Sequence, residues 1–156
     1  MNFRIYRFSY PEGTEGGLKN INLTIPDGQC VLFCGQSGCG KTTLTRLVNG
    51  LIPQFFDGKL TGKVLFNGEN LFNVPMYQIA EKVGSVFQNP RTQFFNVDTD
   101  SEIVFGLENE AVPQEELKSS VMETAKSLHI ESLLGRNIFA LSGGEKQKSC
   151  ICIVYA

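Results

Sequence analysis

The sequence predicts an α/β protein: a parallel sheet flanked by helices, with an antiparallel β portion at the N-terminus and a helical subdomain inserted later. Three observations carry that expectation. Strand-like segments crowd the first half of the chain, a glycine-rich turn joins an apolar strand to a helix, and beyond Asn89 the apolar spacing becomes helical.

Four early segments read as strands: Phe3 to Tyr10, Lys19 to Ile25, Gln29 to Cys34 and Lys63 to Asn67. Turn residues separate them at Pro11-Glu12-Gly13, Pro26-Asp27-Gly28 and Asn67-Gly68. Ile21, Leu23 and Ile25 alternate with polar residues, which suits a half-buried antiparallel strand. Gln29 to Cys34 holds a continuous, β-rich apolar run from Cys30 to Cys34, so it reads as a central parallel strand covered on both faces. Val83 to Phe87 reads as another short buried strand. Lys41 to Asn49 is helical in pattern, with Leu44, Leu47 and Val48 on one face and Gly50 as a stop. Pro113-Gln114-Glu115-Glu116 opens a second helix, whose apolar residues Leu117, Val121, Ala125 and Leu128 keep the 3.6-residue period. The expected organisation is one domain in three parts: residues 1–88 with the β portion and loop core, 89–140 helical, and 141–156 a final helix.

Composition bounds the function. At 156 residues, 42% hydrophobic and 19% charged, the chain is expected to fold as one soluble globular domain. Fourteen Lys and Arg against sixteen Asp and Glu give a net charge of −2, and neither sign gathers into a block. No basic stripe is visible along the chain, so no nucleic-acid partner is expected. The longest apolar runs fall far short of the ~18–20 residues that cross a bilayer, and Met1 to Arg7 lacks the apolar stretch of a signal peptide. Cytosolic residence is the expectation. Cys30, Cys34, Cys39, Cys150 and Cys152 are an odd set without C-x-x-C spacing, so they read as small reduced core residues rather than a disulfide framework or zinc site.

The strongest chemical signal is Gly35-Gln36-Ser37-Gly38-Cys39-Gly40-Lys41-Thr42, which fits G-x-x-x-x-G-K-S/T and lies between an apolar strand-like run and a helix. Glycines let backbone wrap closely around a phosphate, and the free N–H groups at the helix start present positive partial charge to it. Lys41 would reach the β- and γ-phosphates and Thr42 would place its hydroxyl on Mg²⁺, with Thr43 beside it. A second candidate anion site is Ser142-Gly143-Gly144 at a helix start. The same residues also read as an ordinary capping turn, with Ser142 as N-cap and Glu145 three residues on.

Leu141-Ser142-Gly143-Gly144-Glu145-Lys146-Gln147 resembles the signature sequence of the ATP-binding cassette (ABC) family, and Phe87-Gln88-Asn89-Pro90 resembles its Q-loop. The resemblance covers nearly the whole chain and implies a P-loop NTPase core that binds ATP with Mg²⁺. It implies that two such domains, identical or different, close head to tail, so that Ser142, Gly143 and Gly144 contact nucleotide held by the other subunit. Gln88 then corresponds to the glutamine that senses Mg²⁺ and the attacking water, which makes Lys41 and Gln88 the catalytic candidates and Thr42 and Gln88 the metal candidates. A polar strand end is the alternative for Gln88. Tyr10 resembles the aromatic that stacks on adenine, and a core tyrosine is its alternative. His129 precedes the position of the family's switch histidine and reads as a solvent-facing helix residue.

The family pattern also includes a Walker B strand ending in Asp-Glu after the signature helix, and no such segment follows Gly143 to Tyr155 here. The expectation is an ATPase whose catalytic carboxylates lie outside these residues, so that this chain alone is inactive. At finer grain, Asn96 to Asn109 and Gly144-Glu145-Lys146-Gln147 resemble the ATPases of energy-coupling-factor importers. That likeness implies import of a vitamin or metal ion, a transmembrane coupling subunit, a substrate-capturing membrane subunit, and a peripheral place on the cytoplasmic face of the membrane. The alternatives are a non-hydrolysing nucleotide-binding module and a soluble ABC ATPase not involved in transport.

Overall fold

The structure, a computed structural model, describes residues 1–11, 16–109 and 113–156. The expected turn at Glu12 and Gly13 lies outside them. The elements in order are β1 (Asn2–Ser9), β2 (Gly17–Thr24), α1 (Lys41–Val48), α2 (Leu51–Gln54), β3 (Lys59–Phe66), β4 (Glu69–Asn70), α3 (Met76–Ala80), α4 (Thr99–Asn109), α5 (Gln114–Ser127) and α6 (Gly143–Tyr155), with short 3₁₀ turns between some of them. The chain is α/β and divides into two compact units, Met1–Val83 and Gly84–Ala156.

In the first unit the strands form one antiparallel sheet in the order β2-β1-β3-β4. Alternation decides its inner face: Phe3, Ile5, Phe8, Leu18 and Val64 turn inward and pack with Leu44 and Leu47 of α1. A register shift between Ile5 and Arg7 marks a bulge opposite Gly62, whose positive φ of 131° and missing Cβ let it lie against the backbone of Arg4 and Ile5. Asn67 and Gly68, both at positive φ, make the tight β3–β4 turn that their pairing in the sequence signals. The strands expected at residues 3–10, 19–25 and 63–67 are therefore present, with β3 beginning earlier, at Lys59.

Gln29 to Cys34 and Val83 to Phe87 differ from expectation. Neither segment belongs to a ladder among the described residues, and Leu32 is 84% exposed. A parallel strand takes its hydrogen bonds from neighbours distant in sequence, so apolarity nominates such a segment but cannot form it alone. Of the cysteines, Cys30, Cys34 and Cys39 are exposed, and only Cys150 and Cys152 are the buried residues expected.

The second unit is helical. Ile103 and Leu107 of α4, Leu117, Val121 and Ala125 of α5, and Cys152 of α6 share a core with Ile130, Leu133 and Leu141. Asp98 starts α4 by accepting from the Ser101 N–H and hydroxyl at 2.8 and 2.9 Å. His129 lies just past α5 rather than within it. Its φ of 55° is the left-handed conformation that ends a helix, and the Ile130 N–H reaches back to the Ala125 carbonyl at 2.9 Å. It is exposed, as expected, but as a helix terminator.

Candidate functional site

The glycine-rich loop occupies residues 35–40 immediately before α1. Gly35, Gly38 and Gly40 hold φ values of 150°, 80° and 98°, a left-handed sequence of turns that side chains would resist. Gly40 also passes close to Leu18 of β2, where an added Cβ would meet the leucine side chain at 2.7 Å. Gly40 is the N-cap of α1 and offers no side-chain acceptor, so the first-turn N–H groups have no side-chain cap. The Lys41 ammonium folds over the loop, donating to the Gly35 and Gln36 carbonyls at 2.9 and 2.8 Å and lying 3.6 Å from the Cys39 sulfur. Gln36, Ser37, Gly38 and Cys39 are exposed on the same loop, and Thr42 presents an exposed side chain one residue into α1. A phosphate placed at this loop would meet N–H groups without a side-chain cap, the helix dipole and the Lys41 ammonium.

Thr43 is only 7% exposed, and its hydroxyl pairs with the Tyr10 hydroxyl at 3.2 Å. Tyr10 is half-buried, packs edge-on against Phe8 at 4.8 Å, and accepts a hydrogen bond from Arg46 at 3.1 Å. Arg46 in turn stacks over the Phe56 ring at 4.1 Å. The structure thus ties Tyr10 to the loop helix through Thr43 and Arg46. It also opens a cleft of 580 Å³ beside Tyr10, lined by Arg7, Ser9, Pro11, Gly58, Lys59 and Thr61. Arg46 was not legible from sequence, because its partner Tyr10 lies 36 residues away.

The remaining candidates belong to the second unit. Gln88 is exposed between two pinned points. Before it, the Gln93 side chain accepts from the Phe87 N–H at 3.1 Å and donates to the Ser85 carbonyl at 3.2 Å. After it, Asn89 caps the turn at Pro90–Thr92 by accepting from the Arg91 N–H at 3.2 Å. Gln93 therefore supplies hydrogen bonds that a neighbouring strand would otherwise give, a role with no sequence signal. Downstream, Glu102 is 1% exposed and its carboxylate accepts from the Phe95 and Asn96 N–H groups at 3.1 and 2.6 Å, fixing the segment that leads into α4.

Ser142, Gly143 and Gly144 open α6. Ser142 accepts from the Glu145 N–H at 3.3 Å while Glu145 accepts from the Ser142 N–H at 2.7 Å, a complete capping box. Glu145 also pairs with Arg136 at 2.8 Å. These hydrogen bonds, those from Ser142 foremost, hold the Glu145 carboxyl down at about 2. Lys146, only 6% exposed, donates to the Leu141 and Phe139 carbonyls at 2.7 and 3.3 Å and fixes the backbone leading into the motif. Neither Gly143 nor Gly144 has a positive φ, and an added Cβ on either would meet nothing within 4 Å.

Residues 18–156 match the sequence profile of the family described as ABC transporter. A putative ABC transporter ATP-binding protein of Treponema denticola is 56% identical over 156 residues, which are all of this chain and 32% of that protein. Another, from Methanosarcina mazei, is 40% identical over 151 residues, 97% of this chain and 26% of that protein. The chain thus spans about a third or less of these curated relatives. The solved structure of cbiO1 from Clostridium perfringens, described as part of the ABC transporter complex cbiONQ, superposes with a TM-score of 0.82 at 28% identity, over 99% of this chain and 61% of that one. With a family match over residues 18–156 and a relative 56% identical along all of it, the chain belongs to the ABC transporter ATP-binding family.

Proposed function

We propose that the chain binds MgATP at residues 35–43 and that the protein carrying it couples ATP hydrolysis to import of a small substrate such as a vitamin or metal ion. The observation that carries the nucleotide site is the Lys41 ammonium, held over the loop carbonyls at 2.9 and 2.8 Å and beside uncapped N–H groups. A phosphate would take over the partners that those carbonyls now provide. Lys41 and the loop amides then neutralise charge on the β- and γ-phosphates and Thr42 gives its hydroxyl to Mg²⁺, while Gln88 keeps the metal- and water-sensing role that the family resemblance implies. Tyr10 offers a ring beside the cleft for adenine.

The signature turn acts on a second subunit. Backbone conformation does not require glycine at 143 or 144, nor does local packing, and glycine there disfavours the helix. Close approach by a group from outside the chain explains both residues, and a nucleotide held by a second ABC ATPase subunit is that group. The likeness to cbiO1, described as part of a transporter complex, supports an importer of the energy-coupling-factor kind. Its partners would be a transmembrane coupling subunit and a substrate-capturing membrane subunit, with the ATPase at the cytoplasmic face. No residue of this chain is assigned as the base for water attack, so these 156 residues by themselves bind nucleotide without turnover.

Calorimetry of MgATP with the wild-type chain and Lys41→Ala tests the site. Loss of one charge-assisted hydrogen bond is worth about 1.5–3 kcal/mol, so affinity should fall at least tenfold. Equal affinities would remove Lys41 from the site. Phosphate release dependent on Lys41 from this chain alone would refute the absence of turnover.

A further inference from the structure

No stripe of cations runs along the sequence, yet the fold gathers cations on one face of three strands. Pairing places Arg4 beside Lys63, Arg7 beside Lys19, and Ser9 beside Lys59, all on the face opposite Phe3, Phe8, Leu18 and Val64. Cross-strand partners share a face, so Arg4, Arg7, Lys19, Lys59 and Lys63 lie together, and all five are exposed. β1, β2 and β3 contain no Asp or Glu. The ion pairs among the described residues are Lys82–Glu69 and Arg136–Glu145, and none of the five takes part. In a chain of net charge −2, five cations on one face leave a net −7 on the remainder.

At the middle of this face the bulge turns out Tyr6, 70% exposed. Beside it a shallow depression of 410 Å³ is lined by Arg4, Ile5, Tyr6, Asn20, Ile21 and Asn22, an arrangement of one guanidinium, two amides and a phenol. These are donors suited to a phosphate oxygen, and a tyrosine with a polar tip belongs at a water–lipid boundary.

We propose that this sheet face docks directly on an anionic membrane surface, with a lipid phosphate headgroup seated beside Arg4 and Tyr6. The face is broad, three strands wide at ~4.8 Å spacing, and its cations are spread rather than lined up in a groove. That geometry matches a planar field of headgroups, where each Lys or Arg adds ~1 kcal/mol, about fivefold in partitioning. Single-stranded nucleic acid would call for several stacking aromatics, and this face offers Tyr6 alone. The docking rests on the sheet and not on nucleotide binding, so it stands or falls separately from the transport reading.

The test is flotation of the full chain with phosphatidylcholine vesicles containing or lacking about a third phosphatidylserine; aggregated protein does not float. Wild type should float only with the anionic vesicles and be released as salt is raised and screening sets in. Arg4→Gln/Arg7→Gln/Lys63→Gln should weaken partitioning roughly a hundredfold at unchanged circular dichroism and unchanged MgATP affinity. Lys118→Gln/Lys126→Gln/Lys148→Gln, which removes equal charge from exposed sites in the second unit, should float like wild type. Absence of flotation, equal loss in both triple variants, or displacement from vesicles by a single-stranded RNA oligonucleotide would each overturn the proposal, the last by assigning the face to nucleic acid.

Discussion

Gly144→Ala separates what a residue does for its own fold from what it does for a partner. Gly144 lies in the first turn of α6, with no positive φ and no atom within 4 Å of where a Cβ would stand. The substitution introduces no clash and removes backbone freedom from the unfolded chain, an effect worth up to about 1 kcal/mol in favour of alanine and less near a helix end. The capping box remains, because Ser142 and Glu145 supply it. Stability of the chain should therefore hold or rise by about 0.5 kcal/mol, read from the urea midpoint at unchanged slope. ATP-driven association in the protein that carries this domain should fall, because a methyl group would occupy the space through which the facing nucleotide approaches. The assay is light scattering with and without MgATP, alongside the denaturation curve. A loss of more than about 1 kcal/mol in stability would mean that Gly144 serves local structure. Unimpaired ATP-driven association would mean that nothing approaches it.

Three further outcomes follow from particular contacts. MgATP should protect Cys39 from maleimide while leaving exposed Cys30 reactive; Cys150 and Cys152, whose thiols burial pushes up to about 11, should stay largely unlabelled near neutral pH. Mass-spectrometric mapping checks this, and equal labelling of Cys39 with and without nucleotide would count against the loop as the phosphate site. Glu145 has its carboxyl lowered from 4.5 to about 2, so its charge stabilises the fold above pH 4.5 and that contribution disappears as pH falls toward 2. The difference in urea midpoint between wild type and Glu145→Gln should be constant above pH 5 and close between pH 4.5 and 2; a difference that persists at pH 2 would refute the charge-based account. Glu102→Gln exchanges a buried carboxylate that holds two backbone N–H groups for an amide with one acceptor oxygen, and should cost about 1.5–3 kcal/mol by chemical denaturation. An unchanged midpoint would show that the Phe95–Asn96 segment does not depend on it.

Much of the site was legible because its chemistry is local. The loop from Gly35 to Thr42 needs glycines, a lysine and a hydroxyl in fixed order, and the structure gives three of those glycines positive φ. The Ser142–Glu145 capping box spans three residues and forms as its spacing implies. Tyr10 was nominated in sequence, but its ties to Thr43 and Arg46 were not, since they cross 33 and 36 residues. The hydrogen-bonding roles of Gln93, Glu102 and Lys146 gave no signal for the same reason: a glutamine that bonds to backbone like a neighbouring strand looks like any other polar residue until that backbone is in place.

The sequence by itself determined the α/β class, the antiparallel start, the Asn67-Gly68 hairpin turn and the helices at α1 and α5, because propensity, period and turn chemistry act over a few residues. Tertiary structure alone decided which strands exist as strands. β1, β2 and β3 pair and bury a face on α1, whereas Gln29 to Cys34, apolar from Cys30 onward, has no ladder among the described residues and leaves Leu32 exposed. It also decided where charge gathers. Arg4, Arg7, Lys19, Lys59 and Lys63 are scattered in sequence and adjacent in space, since a sheet brings together residues that only hydrogen-bonded register can align.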